Sequence, residues 1–472
     1  MAGVWNVNLR CALVGILLAQ VAGVAGAESS RVGNFPFNEP LTLTNALHIA
    51  LRQNPDILRA QKDLEAAEGI AIQSRAIAVP KLQLNGHYSA IDSGDVDKLR
   101  LPSGTNSAIS ALFSGSGGFS IGTDQSWQSQ IRLVQSLYEG GRMVSSLRTG
   151  RLTREQAALN YQTVVANTVL AVEVSFYDLL LEAQQITVQE ASVELLNQEL
   201  ADTKRRYDAG TVPRFNVLRA EVELANARPK LIRARNSLRI GKNNLANLLG
   251  LDVPREAFED IPLTVAGKLE AEPYELELPR AIGLALAQRS ELGVLRKAQA
   301  LRKEEVINAR AGYKPSLEAY AGYDAHSSIF GSDLTDEVHG WITGVQLNWD
   351  IFDGWRSKGK VREATALYEK AGIELEDAGR RIELEVRTAW SNFKEADEVL
   401  KSQEKVVEQA EEALRLARAR SEAGSATQLD VLGAQTALTE ARTTQVQALH
   451  DYAVARARLE RAMGGKGRLA VN

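Results

Sequence analysis

The sequence predicts a mixed α and β membrane protein, in which two tandem copies of one unit each contain a long α-helical hairpin and two amphipathic β-strands. Three observations predict this fold class. The chain of 472 residues repeats itself at constant offsets, four segments alternate apolar with polar residues, and two helical stretches each run for about 67 residues. Helices of that length do not fit inside one compact domain.

The first 27 residues have the composition of a secretory signal peptide. Residues 1–27 carry a single charge at Arg10, an apolar run that begins at Cys11, and the small-residue ending Ala25-Gly26-Ala27. A retained N-terminal anchor is the alternative, but the apolar run is too short to span a bilayer comfortably. We therefore expect cleavage after Ala27, export from the cytoplasm, and an N-terminal segment at 28–40.

Composition excludes several classes of function. Cys11 is the only cysteine, so cleavage of the signal leaves no disulfide and no thiolate site. Without Arg10 the chain has 54 basic and 59 acidic residues, and this net charge of about −5 does not suggest nucleic-acid binding. After the signal there is no uninterrupted run of about eighteen apolar residues, so we expect β-strands to make any membrane crossing.

The internal repeat defines the domain organisation. The predicted units are a first copy at 41–254, a linker at 255–275, a second copy at 276–464 and a C-terminal tail at 465–472. The offset is first 235, so that Pro80 returns as Pro315, and later 214, so that Gly210 returns as Gly424. The difference of 21 indicates an insertion between the two strands of the first copy. This insertion is rich in glycine and serine, and it predicts a mobile loop.

Each copy contains two predicted strands, at 81–92 and 126–138 in the first copy and at 316–327 and 339–352 in the second. Each strand has one apolar face, one polar face and aromatic residues near its ends, a pattern typical of membrane barrels. A soluble sheet is the alternative, but the rest of the chain is long helix and leaves no apolar layer to cover a sheet. Four strands cannot close around a water-filled hole. Several chains must then contribute strands to one barrel.

The helices begin and end at recognisable residues. A first helix is predicted from about Leu41 to Ala78, before Pro80. Long helices then follow at 142–209 and 357–423, with apolar residues spaced by three and four as in a coiled coil. At 1.5 Å per residue each long helix is a rod of roughly 100 Å. Glycine ends each rod, and the predicted tips are 210–213 and 424–427.

A second helix returns from each tip and ends near Gly250 or Gly464. In the first returning helix Ala220 and Ala227 are a heptad apart, which permits close packing of neighbouring helices. Pro229 should kink this helix. We therefore expect hairpins that can close side by side into a tube.

Together these features resemble the TolC-type outer-membrane factor family. The resemblance rests on the duplication, the proline before each strand pair, the exits Tyr138–Arg142 and Phe352–Arg356, and the two tips, and it covers nearly the whole mature chain. It implies a homotrimer in which twelve strands form one β-barrel in the cell outer membrane above a periplasmic tunnel of helices. It also implies an outer-membrane channel-tunnel of a tripartite efflux or type I secretion system, with a periplasmic adaptor (membrane fusion) protein and an inner-membrane transporter as partners.

The same resemblance assigns roles to the tips. The expected adaptor contacts are Gly210, Thr211, Val212, Pro213, Gly424, Ser425, Ala426 and Thr427. Asp430 matches the first of the acidic positions that ring the periplasmic entrance in the family. The second acidic position is Gly433, and the tyrosine and arginine of the family's closing network fall on Ser421 and Ala426. We therefore expect an entrance that is latched differently, or less tightly, than in the best-known member of the family.

An ordinary structural role for Asp430 stays open. An acid in the first turn of a helix is stabilised by the helix dipole and needs no function. The equivalent position in the first copy is Asn216, so a trimer would place only three such acids at its entrance.

The residues do not indicate an enzyme, a metal site or a cofactor. No HExxH or GxSxG motif is present. The scattered histidines, expected at the surface or in loops, are His48, His87, His326, His339 and His450. A periplasmic coiled-coil tether without a pore is the alternative function, but it would need no amphipathic strands. The cargo, whether drug, metal or protein, stays open.

Overall fold

The computed structural model describes residues 40–92, 124–251, 260–327 and 334–465. The predicted signal peptide, the glycine- and serine-rich insertion and nearly all of the C-terminal tail lie outside these ranges. The helices are α1 (Leu43–Gln53), α2 (Pro55–Arg75), α3 (Arg142–Asp208), α4 (Arg214–Leu249), α5 (Leu278–Gln288), α6 (Ser290–Ala311), α7 (Arg356–Glu422) and α8 (Gln428–Ala462). The strands are β1 (Lys81–Ala90), β2 (Gln125–Glu139), β3 (Ser316–Ser327) and β4 (Glu337–Asn348).

The first predicted helix is two helices, α1 and α2, which corrects the single helix expected from Leu41 to Ala78. Asn54 separates them with φ −59° and ψ 126°, and its Oδ1 accepts hydrogen bonds from the backbone N–H groups of Asp56 and Ile57 at 2.8 and 3.1 Å. Pro55 occupies the first turn of α2. The Asn54 Nδ2 donates to the carbonyl of Leu248, 194 residues away, at 2.7 Å. This long-range bond holds the break in place.

The four strands form one antiparallel sheet in the order β1-β2-β3-β4. Its register aligns apolar residues across all four strands, as in the row Leu84, Ile131, Tyr323 and Trp341. All four of these side chains are exposed. The opposite face is polar, and there the Gln128 amide donates to Asp324 at 3.0 Å. Within the described residues the sheet thus has an exposed apolar face and a polar face that is partly buried on its two central strands.

Strand β4 ends earlier than expected. The predicted segment 339–352 placed Trp349 and Ile351 on the strand, whereas the strand ends at Asn348. Both side chains remain exposed in the connection to α7. The Trp349 indole donates to the carbonyl of Tyr313 at 3.2 Å, in the turn between α6 and β3.

The helices pack in two tiers around α3 and α7, which run through both. Next to the sheet the order is α2, α3, α6 and α7, and in the tier beyond it the order is α4, α3, α8 and α7. Helices α3 and α7 are long because each one packs against other helices in both tiers. Each tier ends on an edge helix at either side, α2 or α4 at one side and α7 at the other.

Two apolar cores lie where the returning helices end. Val172 of α3 and Leu249 of α4 belong to the first core, and Val386 of α7 and Leu459 of α8 belong to the second. The inter-repeat linker contributes Leu263 to the first core, and its backbone pairs with the chain at Leu41. Burying side chains of this size stabilises each site by about 1.5 to 3 kcal/mol. The cores tie the hairpins of the two repeats together.

Helix α3 is long and apolar enough to cross a membrane, judged by length and composition alone. It has an 18-residue window of mean hydropathy 1.6, of which 44% is buried within the chain. A single such helix is weak evidence for a membrane span, since core helices have the same composition. The buried α3 residues Val169, Val172 and Phe176 all belong to the first core. We therefore assign the apolar window to helix packing.

Candidate functional site at the helical tips

The first tip turns the chain from α3 into α4. Gly210 has φ 72°, in the left-handed region that favours glycine. The Thr211 N–H and hydroxyl both donate to the carbonyl of Arg206, at 2.9 and 2.8 Å, and so satisfy an acceptor at the end of the helix. Pro213 then precedes α4 in an extended conformation.

The second tip repeats this geometry between α7 and α8. Gly424 has φ 73°, and the Ser425 N–H and hydroxyl donate to the carbonyl of Arg420 at 2.8 and 3.1 Å. Thr427 is the N-cap of α8. A Cβ added at Gly210 or Gly424 would meet no atom within 4 Å. Backbone conformation, and not lack of space, therefore requires glycine at both tips.

Asp430 forms a capping box with Thr427. The Asp430 N–H donates to Thr427 Oγ1 at 3.3 Å, and the Thr427 N–H and hydroxyl donate to Asp430 Oδ2 at 2.7 and 2.8 Å. These two bonds from Thr427 lower the pKa of the exposed Asp430 carboxyl. Asp430 therefore caps the helix within each chain and still presents a carboxylate to solvent.

The positions that depart from the family pattern differ in their exposure. Gly433 lies on the surface of α8, and a Cβ added there would meet no atom within 4 Å. Ser421 and Ala426 are partly buried, and Asn216 is partly buried near the start of α4. Asp430 is thus the acidic residue that the first turn of α8 offers.

The two tips lie side by side. The Gln428 side chain at the start of α8 donates to Thr203 Oγ1 near the end of α3, at 2.8 Å. Lys204 of α3 pairs with Glu221 of α4 at 3.0 Å and closes the first hairpin. One bond between the repeats and one within a repeat therefore hold the tips together.

Two exposed apolar side chains at the tips are additional candidates for contacts. Phe215 and Leu429 occupy equivalent positions, as the second residue of α4 and of α8, and both are exposed. The guanidinium of Arg219 lies 4.9 Å from the centre of the Phe215 ring. The offset of 214 relates the two residues, so the internal repeat could have identified them as an equivalent pair. Only the structure shows that both side chains face solvent.

One of the five histidines is buried. Among the described residues there is no group of three His, Cys, Asp or Glu side chains that could hold an ion. The expectation of a surface or loop position was wrong for His450, which is 8% exposed on α8. Its ring nitrogens lie 2.7 Å from Asp178 Oδ1 and 2.9 Å from Asp451 Oδ1. Burial alone would lower the pKa of His450, but the two carboxylates outweigh it and raise that pKa.

Comparisons with known proteins identify the family. The family model described as outer membrane efflux protein matches residues 46–251 and 281–465. The chain is 22% identical over 428 residues to outer membrane protein TolC of Escherichia coli K12, covering 87% of this chain and 80% of TolC. It is 24% identical over 421 residues to the alkaline protease secretion protein AprF of Pseudomonas aeruginosa, covering 89% and 83% of the two chains.

A solved structure shows the same fold. The Campylobacter jejuni CmeC outer membrane channel superposes with a TM-score of 0.75 at 15% identity, over 94% of this chain and 91% of that one. This structural similarity covers both repeats, as the match to the family model does. The resemblance seen in the sequence is therefore confirmed, and the chain belongs to the outer membrane efflux protein family.

Proposed function

We propose that three copies of this chain assemble head to tail into one channel, with a twelve-stranded barrel in the outer membrane and a helical tunnel in the periplasm. As a member of its family the protein is an outer-membrane component of efflux or export, and such channels are not enzymes. The observation that carries the proposal is that both layers of the chain end on open edges.

The sheet is the first open layer. Among the residues that the structure describes, strands β1 and β4 each pair with one neighbouring strand, so that each has an edge of N–H and C=O groups without a strand partner there. No such edge is tolerated in lipid. Pairing β4 of one copy with β1 of the next satisfies both edges.

The helices are the second open layer. The edge helices α4 and α7 carry exposed apolar side chains along their length, among them Ile232 on α4 and Leu384 on α7, each 65% exposed. Contact between different surfaces of neighbouring copies forms a closed ring when the rotation allows it. The same ring closure buries these side chains and completes the sheet.

The strand count favours three copies. Two copies would give eight strands, whose barrel interior is filled by side chains. Three copies give twelve strands and a wider barrel that can hold an aqueous passage. The polar sheet face with Gln128 and Asp324 then lines the passage, and the apolar face with Leu84 and Trp341 contacts lipid.

At the other end, the tips are the surfaces we assign to a periplasmic adaptor protein, which links the tunnel to an inner-membrane transporter. Phe215 and Leu429 supply apolar anchors beside the two glycine turns. The Asp430 carboxylates of three copies form one acidic ring at the entrance, which attracts cations. Gly433 supplies no second ring.

The cargo class is not decided by the duct. The name of the family refers to efflux, whereas the name of the relative AprF refers to secretion of a protease. Within the chain the exposed carboxylate at the tip is compatible with either class. The substrate is therefore expected to be selected by the transporter.

Native mass measurement tests the assembly. Mature protein extracted in detergent should have the mass of three chains, because each copy has two complementary open edges. A dimer would contradict the strand-count argument, and a stable monomer would contradict edge pairing altogether.

A further inference from the structure

Within one chain the first repeat meets the second where α3 packs against α6 and α8. Arg461 of α8 donates from Nε and Nη2 to the side-chain oxygen of Asn167 on α3, at 3.0 and 2.6 Å. In the tier next to the sheet, the Lys297 ammonium of α6 lies 2.6 Å from the Glu155 carboxylate of α3. We call this contact surface the internal junction. Its polar pairs fix how α3 is aligned along its two neighbours.

The edge helices carry the repeat-related counterparts of these surfaces. The offset of 214 converts α3 into α7 and α8 into α4, and the offset of 235 converts α6 into α2. The counterpart of the internal junction is therefore a contact of α7 with α2 and α4. In one chain α7 lies at one edge of the tiers, and α2 and α4 lie at the other. A ring of copies brings these two edges together.

The pair of arginine and asparagine returns with its members exchanged. Asn167 on α3 corresponds to Arg381 on α7, and Arg461 on α8 corresponds to Asn247 on α4. A contact built like the internal junction places Arg381 opposite Asn247 of the next copy. The exchange keeps a guanidinium donor facing an amide acceptor, whereas a change at one position alone would have left two arginines or two asparagines in contact.

Both members of this second pair are available in the single chain. Arg381 is 78% exposed and Asn247 is exposed, whereas Arg461 is buried in the internal junction. Arg381 is held by Asp377 of its own helix through Nε and Nη2, much as Arg461 is held by Glu291 of its own repeat. Arginine has five N–H donors, so Nη1 of Arg381 is left to donate to an amide oxygen.

The ion pair returns without exchange. Lys297 on α6 corresponds to Lys62 on α2, and Glu155 on α3 corresponds to Glu369 on α7. Both counterparts are exposed. Lys62 pairs with Glu65 on its own helix, in an exposed contact of the kind that contributes little in water. Its ammonium can therefore turn toward Glu369 of a neighbouring copy. The same alignment of neighbours satisfies this pair and the pair of Arg381 with Asn247.

The rest of the internal junction is reproduced only in part. Ser192 and Thr439, joined at 3.2 Å, return as the apolar pair Val406 and Ala225. Contacts that return without a complementary pair include those of Gln428 with Thr203, Arg148 with Glu304 and Thr163 with Ser290. The alignment is thus specified by two polar pairs, one in each tier, and not by the whole surface.

We propose that neighbouring copies pack in the alignment of the internal junction, so that Arg381 and Glu369 of one copy contact Asn247 and Lys62 of the next. This inference rests on the proposed ring of three copies. It adds to that ring the residues that set the position of each copy along its neighbour.

Cysteine crosslinking tests the alignment. All variants carry Cys11→Ala, which removes the one cysteine of the chain. Arg381→Cys combined with Asn247→Cys, treated in the purified trimer with a short bifunctional methanethiosulfonate, should give covalent dimers and trimers on a denaturing gel. The matched control, Arg461→Cys with Asn167→Cys, should react at a similar rate but stay at the mass of one chain, with its two tryptic peptides linked.

A displaced pair makes the test specific for the alignment. Ile240 lies on α4 two turns before Asn247 on nearly the same face, about 10 Å away along the helix axis. Arg381→Cys with Ile240→Cys should therefore crosslink at least tenfold more slowly than Arg381→Cys with Asn247→Cys.

Charge exchange tests the second pair. Lys62→Glu should lower by at least twofold the fraction of trimer that survives dilution in detergent, because it places two carboxylates in contact. Adding Glu369→Lys should restore this fraction, since opposite charges face each other again. Lys303→Glu, at an exposed position on α6, is the control and should leave the fraction unchanged. Failure of Glu369→Lys to rescue Lys62→Glu would refute this contact.

The outcomes separate failure of the alignment from failure of the trimer. If native mass shows three chains but the pair at Arg381 and Asn247 crosslinks no faster than the displaced pair, the alignment is refuted and the trimer stands. If no trimer forms, the proposed assembly itself fails. If the control pair at Arg461 and Asn167 does not crosslink, the internal junction is not built as described, and the inference falls with it.

Discussion

Replacing Glu291 with glutamine should loosen the junction between the two repeats. Glu291 begins α6, and its Oε1 accepts from Arg289 at 3.0 Å and from Arg461, at the end of α8, at 2.5 Å. Arg289 also donates to Glu385 of α7, and Arg461 to Asn167 of α3. The two arginines are buried, and Glu291 is the carboxylate that contacts both of them where four helices meet.

The magnitude follows from the ionisation of Glu291. Burial alone would raise its pKa, but the hydrogen bonds from Arg289 and Arg461 outweigh burial and lower the pKa from 4.5 to about 2. A difference of two to three units at roughly 1.4 kcal/mol per unit corresponds to about 3 kcal/mol of stabilisation at neutral pH. Because Glu291 keeps some exposure and each arginine keeps a second partner, we expect Glu291→Gln to cost on the order of 2 to 3 kcal/mol.

The sign of the pH dependence is fixed by the lowered pKa. A carboxyl whose pKa is lower in the folded chain stabilises the fold fully at pH values above its pKa in the unfolded chain, here 4.5. The contribution is lost as the pH falls toward about 2. The stability difference between wild type and Glu291→Gln should therefore be largest at neutral pH and shrink through this acidic window.

Amide hydrogen exchange of the detergent-solubilised protein measures the effect locally. Peptides covering α5 and the start of α6 should lose protection in Glu291→Gln by a factor on the order of thirty to one hundred. Glu305→Gln is the matched control, since Glu305 lies on the same helix in an exposed pair with Arg302 that is worth at most about 1 kcal/mol. Equal protection in the two variants would refute the argument that the buried network stabilises the junction.

Two further predictions concern the tips. Gly424→Val should leave trimers intact but abolish transport, because valine disfavours the left-handed turn that shapes the tip. The control Gly433→Ala, which changes a glycine on helical backbone, should transport normally. Full transport by Gly424→Val cells would argue against a role for this tip. Asp430→Asn should make the channel lose cation preference and block by multivalent cations in planar bilayers, while asparagine still accepts the Thr427 N–H and keeps the cap. Unchanged selectivity would reduce Asp430 to a helix-start residue.

Sequence reasoning reached the elements that depend on near neighbours. Pro80 and Pro315 mark the change from helix to strand because proline ends a helix in any context. Gly210 and Gly424 mark the tips because a left-handed turn after a helix favours glycine. Because the chain is duplicated, each of these predictions could be made in both copies. The duplication also supported the resemblance to the family.

Positions fixed by distant segments were beyond the sequence. The break at Asn54 is held by a bond to Leu248, and the burial of His450 follows from the packing of α8 against α3, with Asp178 as its partner. The left-handed backbone of Trp355, with φ 69°, was likewise hidden, because the offset pairs Trp355 with Gly141 without stating the backbone angle of either residue.

The sequence by itself therefore determined the type and order of the main helices and strands, since hydrophobic periodicity and the Pro and Gly signals act over a few residues, whereas the break at Asn54 and the end of β4 at Asn348 were not predicted. Tertiary structure decided which helices share a tier, which edges stay open, and which charged side chains meet. The physical reason is that a contact such as Glu291 with Arg461 joins residues 170 positions apart. Nothing in the local pattern around either residue specifies its partner; that choice is made by the packing of whole helices.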